Sequence, residues 1–486
     1  MAESRFKMDL SLQRIAIINF AIDLWTAPDA LIVIQECRFT SVYSSTIDDW
    51  SKSEEWQKIV CLIKNKVPEL KKTLKNQILE SIYEIGREIV NWKAFHEEYL
   101  SDKDFSATIL KKLVWTPAGT IDYLETAKIA ITEGLSEILN LYQLACLNCL
   151  EEDIRKIWKK IPTDIKIRFR SNNDPIALKP DRVLVVFWNL LNLHADEAEV
   201  EGNIEITDIW SCYDICPLKM SIFKSYTPSQ YGLKWAAITG NKVASEYFFQ
   251  KLKSDEAGDS LLKAADLILR TRVKYRFAEA VCFPKEKYAP TLWYFLSKMS
   301  EYQLMLVFKH HAHAILRCFL DWPCQDLFIK NAEFLWKFLS FKQYSELGLV
   351  LITDASKFGY NNLQAFEHFF QHSPETLASS FIFENARTIF NEKNANVMQL
   401  MMKNVSGVII EKFLMRGGLI YFERLINEEN WSVLETFTRK CQLSEEAKTK
   451  CRADFVLHIS NFFTREERQQ RIPKWRHFFN LIGITC

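Results

Sequence analysis

The chain has 486 residues, 48% hydrophobic and 25% charged, which excludes a wholly disordered protein and leaves room for roughly two to four domains or one long solenoid. A formal net charge of +1 supplies no global field toward nucleic acid or anionic lipid. Gly and Pro, 13 of each, are too few for sandwiches or doubly wound sheets, while an aromatic share of 13% favours thick cores; together they predict helices.

The first nine residues lack the apolar core of a secretory signal. The apolar run Ile15–Ile34 is interrupted by Asp23, Pro28 and Asp29, which predicts a buried helix–turn–helix and no membrane span. Trp56, Ile59, Val60 and Ile63 recur at i, i+3, i+4, i+7. Leu74, Ile78, Ile82, Ile85, Ile89 and Trp92 then make one sustained helical stripe. Trp115-Thr116-Pro117-Ala118-Gly119 breaks the pattern, and Leu135, Ile138, Tyr142, Ala145 and Cys149 resume it. Residues 1–150 are therefore expected to form an N-terminal helical bundle region.

The 12 cysteines are scattered among apolar residues, the usage of a reducing compartment, so an intracellular, cytoplasmic location is expected. Cys146-Leu-Asn-Cys149 is a C-x-x-C, and Cys212 and Cys216 form the nearest second pair. Four thiolates from these pairs could hold zinc. However, Leu139, Tyr142, Cys146 and Cys149 share one helical stripe, so the expectation is core cysteines and no metal.

Residues 151–230 read as a boundary segment. A basic stretch, Arg155 to Lys160, ends on Pro162; Ser171-Asn172-Asn173-Asp174-Pro175 is a turn signal; Asp196, Glu197, Glu199, Glu201, Glu205 and Asp208 make an acidic loop. A short extended piece is expected near Val183–Phe187. Trp158, Ile161-Pro162, Asp164 and Ile165 resemble the opening of F-box and SOCS-box segments, which implies a substrate adaptor of a ubiquitin ligase acting through residues 158–170 as the alternative function.

Residues 231–486 return to short apolar helices, and residues 233–252 are the most informative of them. Leu233, Ala236, Ala237 and Gly240 fall on one helical face; Gly240 is placed to end that helix and Asn241 to cap the next; Ala244, Tyr247 and Phe248 form a second stripe. This hairpin resembles one ankyrin repeat. The family's Leu, Ala-Ala and Gly fall on Leu233, Ala236-Ala237 and Gly240, and its hydrophobic triplet on Tyr247-Phe248-Phe249. Tyr231-Gly232 stands where the family has Thr-Pro, and Lys234 where it has His. The resemblance implies stacked helix pairs and a surface for a protein partner of unknown identity. It places Phe248, Phe249, Phe369 and Phe370 in the core, and Lys234, Asn241 and Lys242 at the surface near a turn. An echo supports repetition: Asn241, Ala244, Glu246, Phe248, Phe249 and Gln250 recur as Asn362, Ala365, Glu367, Phe369, Phe370 and Gln371 at an offset of 121.

His310-His311-x-His313 is the densest histidine group and is expected at a partly exposed helix end, because 310 and 311 point about 100° apart on a helix. Gly417-Gly418 reads as a helix junction. Arg465, Arg468, Arg471, Lys474 and Arg476 form a second basic cluster, but Glu466 and Glu467 lie among them, so a solvated face is expected and nucleic acid is not. No phosphate loop, dinucleotide fingerprint, nucleophile elbow or metalloprotease motif occurs. No residue is assigned as catalytic, cofactor-binding or metal-ligating. The expectation is an all-α protein, a helical bundle region followed by an ankyrin-like helical-repeat solenoid, serving as a non-enzymatic protein–protein interaction scaffold.

Overall fold

The computed structural model describes residues 8, 10–36, 54–99, 108–168, 184–189, 191–192, 226–274, 287–358, 363–390, 401–439 and 443–484. Among them there is no strand; one isolated antiparallel bridge joins Trp115 to Ile121 across the predicted break. The all-α expectation holds for these residues. The chain divides into two units, Met1–Cys324 and Gln325–Cys486.

The first unit opens with α1 (Leu12–Trp25), α2 (Pro28–Glu36), α3 (Glu54–Lys64) and the long α4 (Lys72–Tyr99). Ser11 caps α1 by accepting the Arg14 N–H. The predicted stripes do the packing: Trp56, Ile59, Val60 and Ile63 of α3 are buried, as are Ile78, Ile82, Ile85, Ile89 and Trp92 of α4. Trp25 stacks on Trp56 at 5.5 Å and donates its indole N–H to the Ile82 carbonyl at 2.7 Å. No single helix among the described residues is long and apolar enough to cross a membrane, and α1 and α2 are bent by 63° relative to each other.

Next come α5 (Tyr123–Thr132), α6 (Ile138–Leu147), α7 (Glu151–Trp158) and α8 (Thr163–Arg168). The extended piece expected near Val183–Phe187 is instead helical over 184–189. Its β-branched valines suggested a strand, but Leu184, Val185, Phe187 and Trp188 are all buried, a helical spacing that tertiary burial favours over local propensity. The unit closes with α9 (Pro228–Thr239), α10 (Lys242–Gln250), α11 (Ser254–Lys274), α12 (Tyr288–Lys298) and α13 (Glu301–Phe319). Here helices pack next-but-one as well as next: α9 on α10 and α11, α10 on α12, α11 on α12 and α13. Largely buried ion pairs among the described residues help hold this unit. Lys287 meets Glu88 at 2.6 Å, and Arg272 forks onto Asp321 through two bonds of 2.9 Å.

The second unit holds α14 (Gln325–Leu335), α15 (Phe341–Phe358), α16 (Leu363–His372), α17 (Glu375–Glu384), α18 (Ala386–Ile389), α19 (Gly407–Met415), α20 (Glu423–Asn427), α21 (Trp431–Thr438), α22 (Glu445–Phe462) and α23 (Arg465–Leu481). Next-but-one packing recurs: α14 on α16, α15 on α17, and further along α17 on α19; α19 also reaches α22, past α20 and α21. Phe369 lies between Trp336, 5.6 Å away, and Tyr344, stacked at 4.7 Å. Burying one such ring contributes about 1.5–3 kcal/mol. The predicted glycine junction follows α19, where Gly417 has φ 84° and starts a short 3-10 turn, Gly418–Phe422.

Candidate functional site

The hairpin at 228–250 is built as its sequence predicts. Thr227 and Gln230 form a reciprocal capping box with Pro228 opening α9. Gly240 takes φ 68°, and its N–H and that of Asn241 return to the Ala237 and Ala236 carbonyls at 3.2 and 2.9 Å, the αL closure that glycine permits. Asn241 Oδ1 accepts the Ala244 N–H at 3.0 Å. Leu233, Ala236, Ala237 and Phe248 are buried. Gly232 has a packing reason: a Cβ there would stand 2.4 Å from the Phe248 ring. Phe249 is only half-buried, edge-on to Tyr294 at 6.1 Å.

The expected surface position of Asn241 is overturned, while Lys234 is partly exposed. Asn241 is 7% exposed, and its Nδ2 donates to the Leu147 carbonyl at 2.8 Å. Thr291 Oγ1 donates to the Gly240 carbonyl at 2.9 Å and Tyr288 OH to that of Ile238 at 2.7 Å. The sequence shows a cap at Asn241 but not the helix that covers it. Lys242 stays partly exposed, paired with Glu246 at 3.4 Å. On the far side of the hairpin Tyr247 OH donates to Glu151 Oε2 at 2.7 Å and Lys251 Nζ to the same oxygen at 3.2 Å. The Tyr247 bond, followed by Lys251, holds the Glu151 carboxyl below its ordinary range despite some burial.

Cys146 and Cys149 are buried, and burial pushes both thiols up, the reverse of what a metal ligand or redox thiolate requires. Only Cys146 is helical; Cys149 has left the helix with φ 51°. Cys212 and Cys216 lie outside the described residues. The three histidines are not at a helix end. They sit mid-way along α13, where His311 departs from helical geometry at φ −132°. His310 is exposed, His313 is buried, and His311 Nε2 meets Asp266 at 2.8 Å.

The basic clusters are largely spent on internal partners. Arg155 pairs with Glu151 at 2.6 Å, and Lys166 lies 4.8 Å over the Trp158 ring. Trp158 and Ile161 of the box-like segment are themselves buried, and its Ile165 is half-buried. Near the C-terminus Arg471 pairs with Glu423, Lys474 with Glu429 at 2.8 Å, and Arg468 donates to the Phe463 carbonyl at 3.0 Å. Arg465 and Arg476 remain exposed.

A cleft of about 650 Å³ opens in the second unit, within the range that holds a ligand or peptide side chains. Its apolar lining is Phe390, Ile420 and Tyr421; its polar lining comprises Arg387, Glu423, Arg424, Asn427, Glu428 and Arg471. Arg424 is fixed to Glu428 at 2.7 Å, and Glu423 also takes His458 at 2.7 Å. Arginine and glutamate alternate here, so the cleft is polar without being strongly charged.

One cluster escaped the sequence reading. His368 and His372 stand four apart on α16, and Glu333 reaches them from α14. Glu333 Oε1 is 3.1 Å from His372 Nδ1 and 3.9 Å from His368 Nε2. The two rings stack at 4.4 Å. Burial, and then the His372 neighbour, lowers the His368 pKa. The signal is the i, i+4 histidine spacing, which puts both rings on one helical face. With the geometry in view, comparison with known proteins adds no identity: no family model matches the chain, and no curated protein matches it.

Proposed function

We propose that the chain is a non-catalytic protein–protein interaction scaffold built from helix pairs stacked in series. The observation that carries this reading is the next-but-one packing within each unit, α10 on α12 and α14 on α16 with α15 on α17. In stacked repeats each pair leans on its neighbour because it cannot bury its own apolar face. The hairpin with Leu233, Ala236, Ala237, Gly240 and Phe248 supports an ankyrin-like repeat as one such pair.

The contact surface we assign is the cleft of the second unit. It suits an extended peptide with an aliphatic or aromatic anchor against Phe390, Ile420 and Tyr421, and an acidic residue against the exposed Arg387. Such mixed linings give specificity through the charges and affinity through the anchor. A photo-crosslinker placed at Ile420 of the full chain in cells tests the reading, with exposed Gln364 as the control position. A discrete protein product at Ile420 that is absent at Gln364 and lost on Arg387→Glu supports it. Identical products at both positions, or none, remove it.

A further inference from the structure

We propose that Glu333, His368 and His372 form a binding site for a divalent transition metal of the zinc class, which ties α14 to α16 and keeps one coordination position open. This site is independent of the scaffold reading.

The donor set points to the metal class. Two imidazole nitrogens and one carboxylate oxygen are borderline-soft ligands suited to zinc, whereas calcium and magnesium prefer all-oxygen shells. Three protein ligands with one open position is the arrangement of exchangeable zinc sites.

The distances fit the same reading. A tetrahedral centre with ligand bonds of about 2.0–2.2 Å spaces its donor atoms roughly 3.3–3.5 Å apart. Here Glu333 Oε1 lies 3.1 Å from His372 Nδ1 and 3.9 Å from His368 Nε2, and all three donors fall within 4.8 Å of one another. Small side-chain rotations about fixed helices therefore seat the ion. The i, i+4 spacing holds both imidazoles on one face of α16, and their rings already lie nearly parallel, 22° apart.

A second observation is independent of spacing. His368 is 12% exposed, and its Nε2 is enclosed without a hydrogen-bond partner. A buried polar nitrogen in that state is costly, and such an orphan calls for an explanation. A metal ion at the cluster supplies its missing partner. The cations nearest in sequence on this side are engaged elsewhere: Lys330 with Asp326 at 3.5 Å, and Lys337 over the Phe334 ring at 4.0 Å. Glu333 is 60% exposed and His372 47%, so the open position faces solvent and takes water or a donor from another molecule.

The test uses the full chain, stripped with chelator and titrated with Co²⁺ and with Zn²⁺. The 12 cysteines offer rival thiolate sites, so the Co²⁺ absorption spectrum is the deciding readout. We expect visible bands of a nitrogen–oxygen site without thiolate charge-transfer absorption in the near ultraviolet. Glu333→Gln and His372→Gln change exposed side chains, so the metal-free variants should keep the wild-type unfolding temperature while losing metal affinity by at least about tenfold. His310→Gln, in the other histidine group, should bind as wild type does. Zn²⁺ should raise the unfolding temperature of wild type and not of the two ligand variants. No uptake, a thiolate spectrum, or undiminished affinity in Glu333→Gln and His372→Gln would overturn the proposal.

Discussion

Helices α10 and α16 carry the echoed sequence, and each sends two side chains four residues apart onto a carboxylate of another helix. In α10 these are Tyr247 and Lys251, both on Glu151 Oε2. In α16 they are His368 and His372, both near Glu333 Oε1. The positions correspond at the same offset of 121 that relates Asn241 to Asn362. The shared apolar register, Ala244 with Ala365 and Phe248 with Phe369, is buried in both. A common core pattern thus sets the same two positions beside a carboxylate of another helix, and the residue types there decide the chemistry. A hydroxyl and an ammonium close the carboxylate with donors. Two imidazoles set ring nitrogens beside it, 3.1 and 3.9 Å away.

The largest effects should come from the shared core. Phe248→Ala and Phe369→Ala should each cost about 3–5 kcal/mol in denaturant unfolding, the usual loss for a fully packed phenylalanine. A cost below about 1 kcal/mol at either position would break the equivalence of the two helices. The closed type of carboxylate has an extreme case in the first unit. Glu88, its side chain only 6% exposed, is paired with Lys287, whose ammonium also lies 3.9 Å over the Tyr123 ring. Lys287→Met strands that carboxylate and should destabilise by about 3–5 kcal/mol, while adding Glu88→Gln should recover part of the loss. Equal stability of the single and double variants would show that the charge is not what matters.

Periodicity made most of the helices legible. The stripes from Trp56 to Ile63 and from Ile78 to Trp92 are buried as their spacing predicts, because burying a regular apolar face is a local property of the pattern. The turn at Gly240–Asn241 was legible for the same reason: αL glycine and an asparagine cap are local chemistry. What covers that turn was not legible. Thr291 and Tyr288 reach it from about fifty residues away, and no short pattern records such a contact. The helix at 184–189 failed differently, since β-branched residues signal strands only until tertiary burial decides. Glu333 is a third case: half of the cluster, the His368–His372 spacing, is written in one helix, and its carboxylate arrives from another.

A smaller effect separates the histidines of the two units. His96 of α4 is fully enclosed, with its Nδ1 2.8 Å from the Trp92 carbonyl and its ring stacked on Trp92 at 4.1 Å. Burial, with nearby Lys287 adding to it, pushes its pKa down to about 3. The folded value is below the unfolded one, so the unfolded chain binds more protons between them. Stability from this group is full above about pH 6.5 and declines as pH falls toward 3. Between pH 7 and pH 5 the loss should be about 2 kcal/mol. Calorimetry at the two pH values checks it, and His96→Phe should flatten the dependence. An unchanged slope in that variant would assign the acid sensitivity to other groups.

The smallest effect tests the closed carboxylate of α10 directly. Tyr247→Phe removes one hydrogen bond to an ionised acceptor and should cost about 1 kcal/mol near neutral pH, the low end for such bonds because Glu151 remains partly hydrated. Lys251→Ala, at a more exposed position, should cost less, about 0–0.5 kcal/mol. The sign with pH follows from the depressed Glu151 pKa. Its contribution is present above the ordinary value of 4.5 and is lost as pH falls through the lower folded value. Tyr247→Phe lets the folded value rise toward the ordinary one, so the gap between wild type and variant should narrow below about pH 4. Because Tyr247 and Lys251 share one oxygen, their losses should not add, and a double-mutant cycle should show coupling of about 0.5 kcal/mol or more. Strict additivity, or a Tyr247→Phe cost unchanged at low pH, would mean that Tyr247 acts through packing alone, and the parallel between the tyrosine–lysine pair and the histidine pair would lose its electrostatic basis.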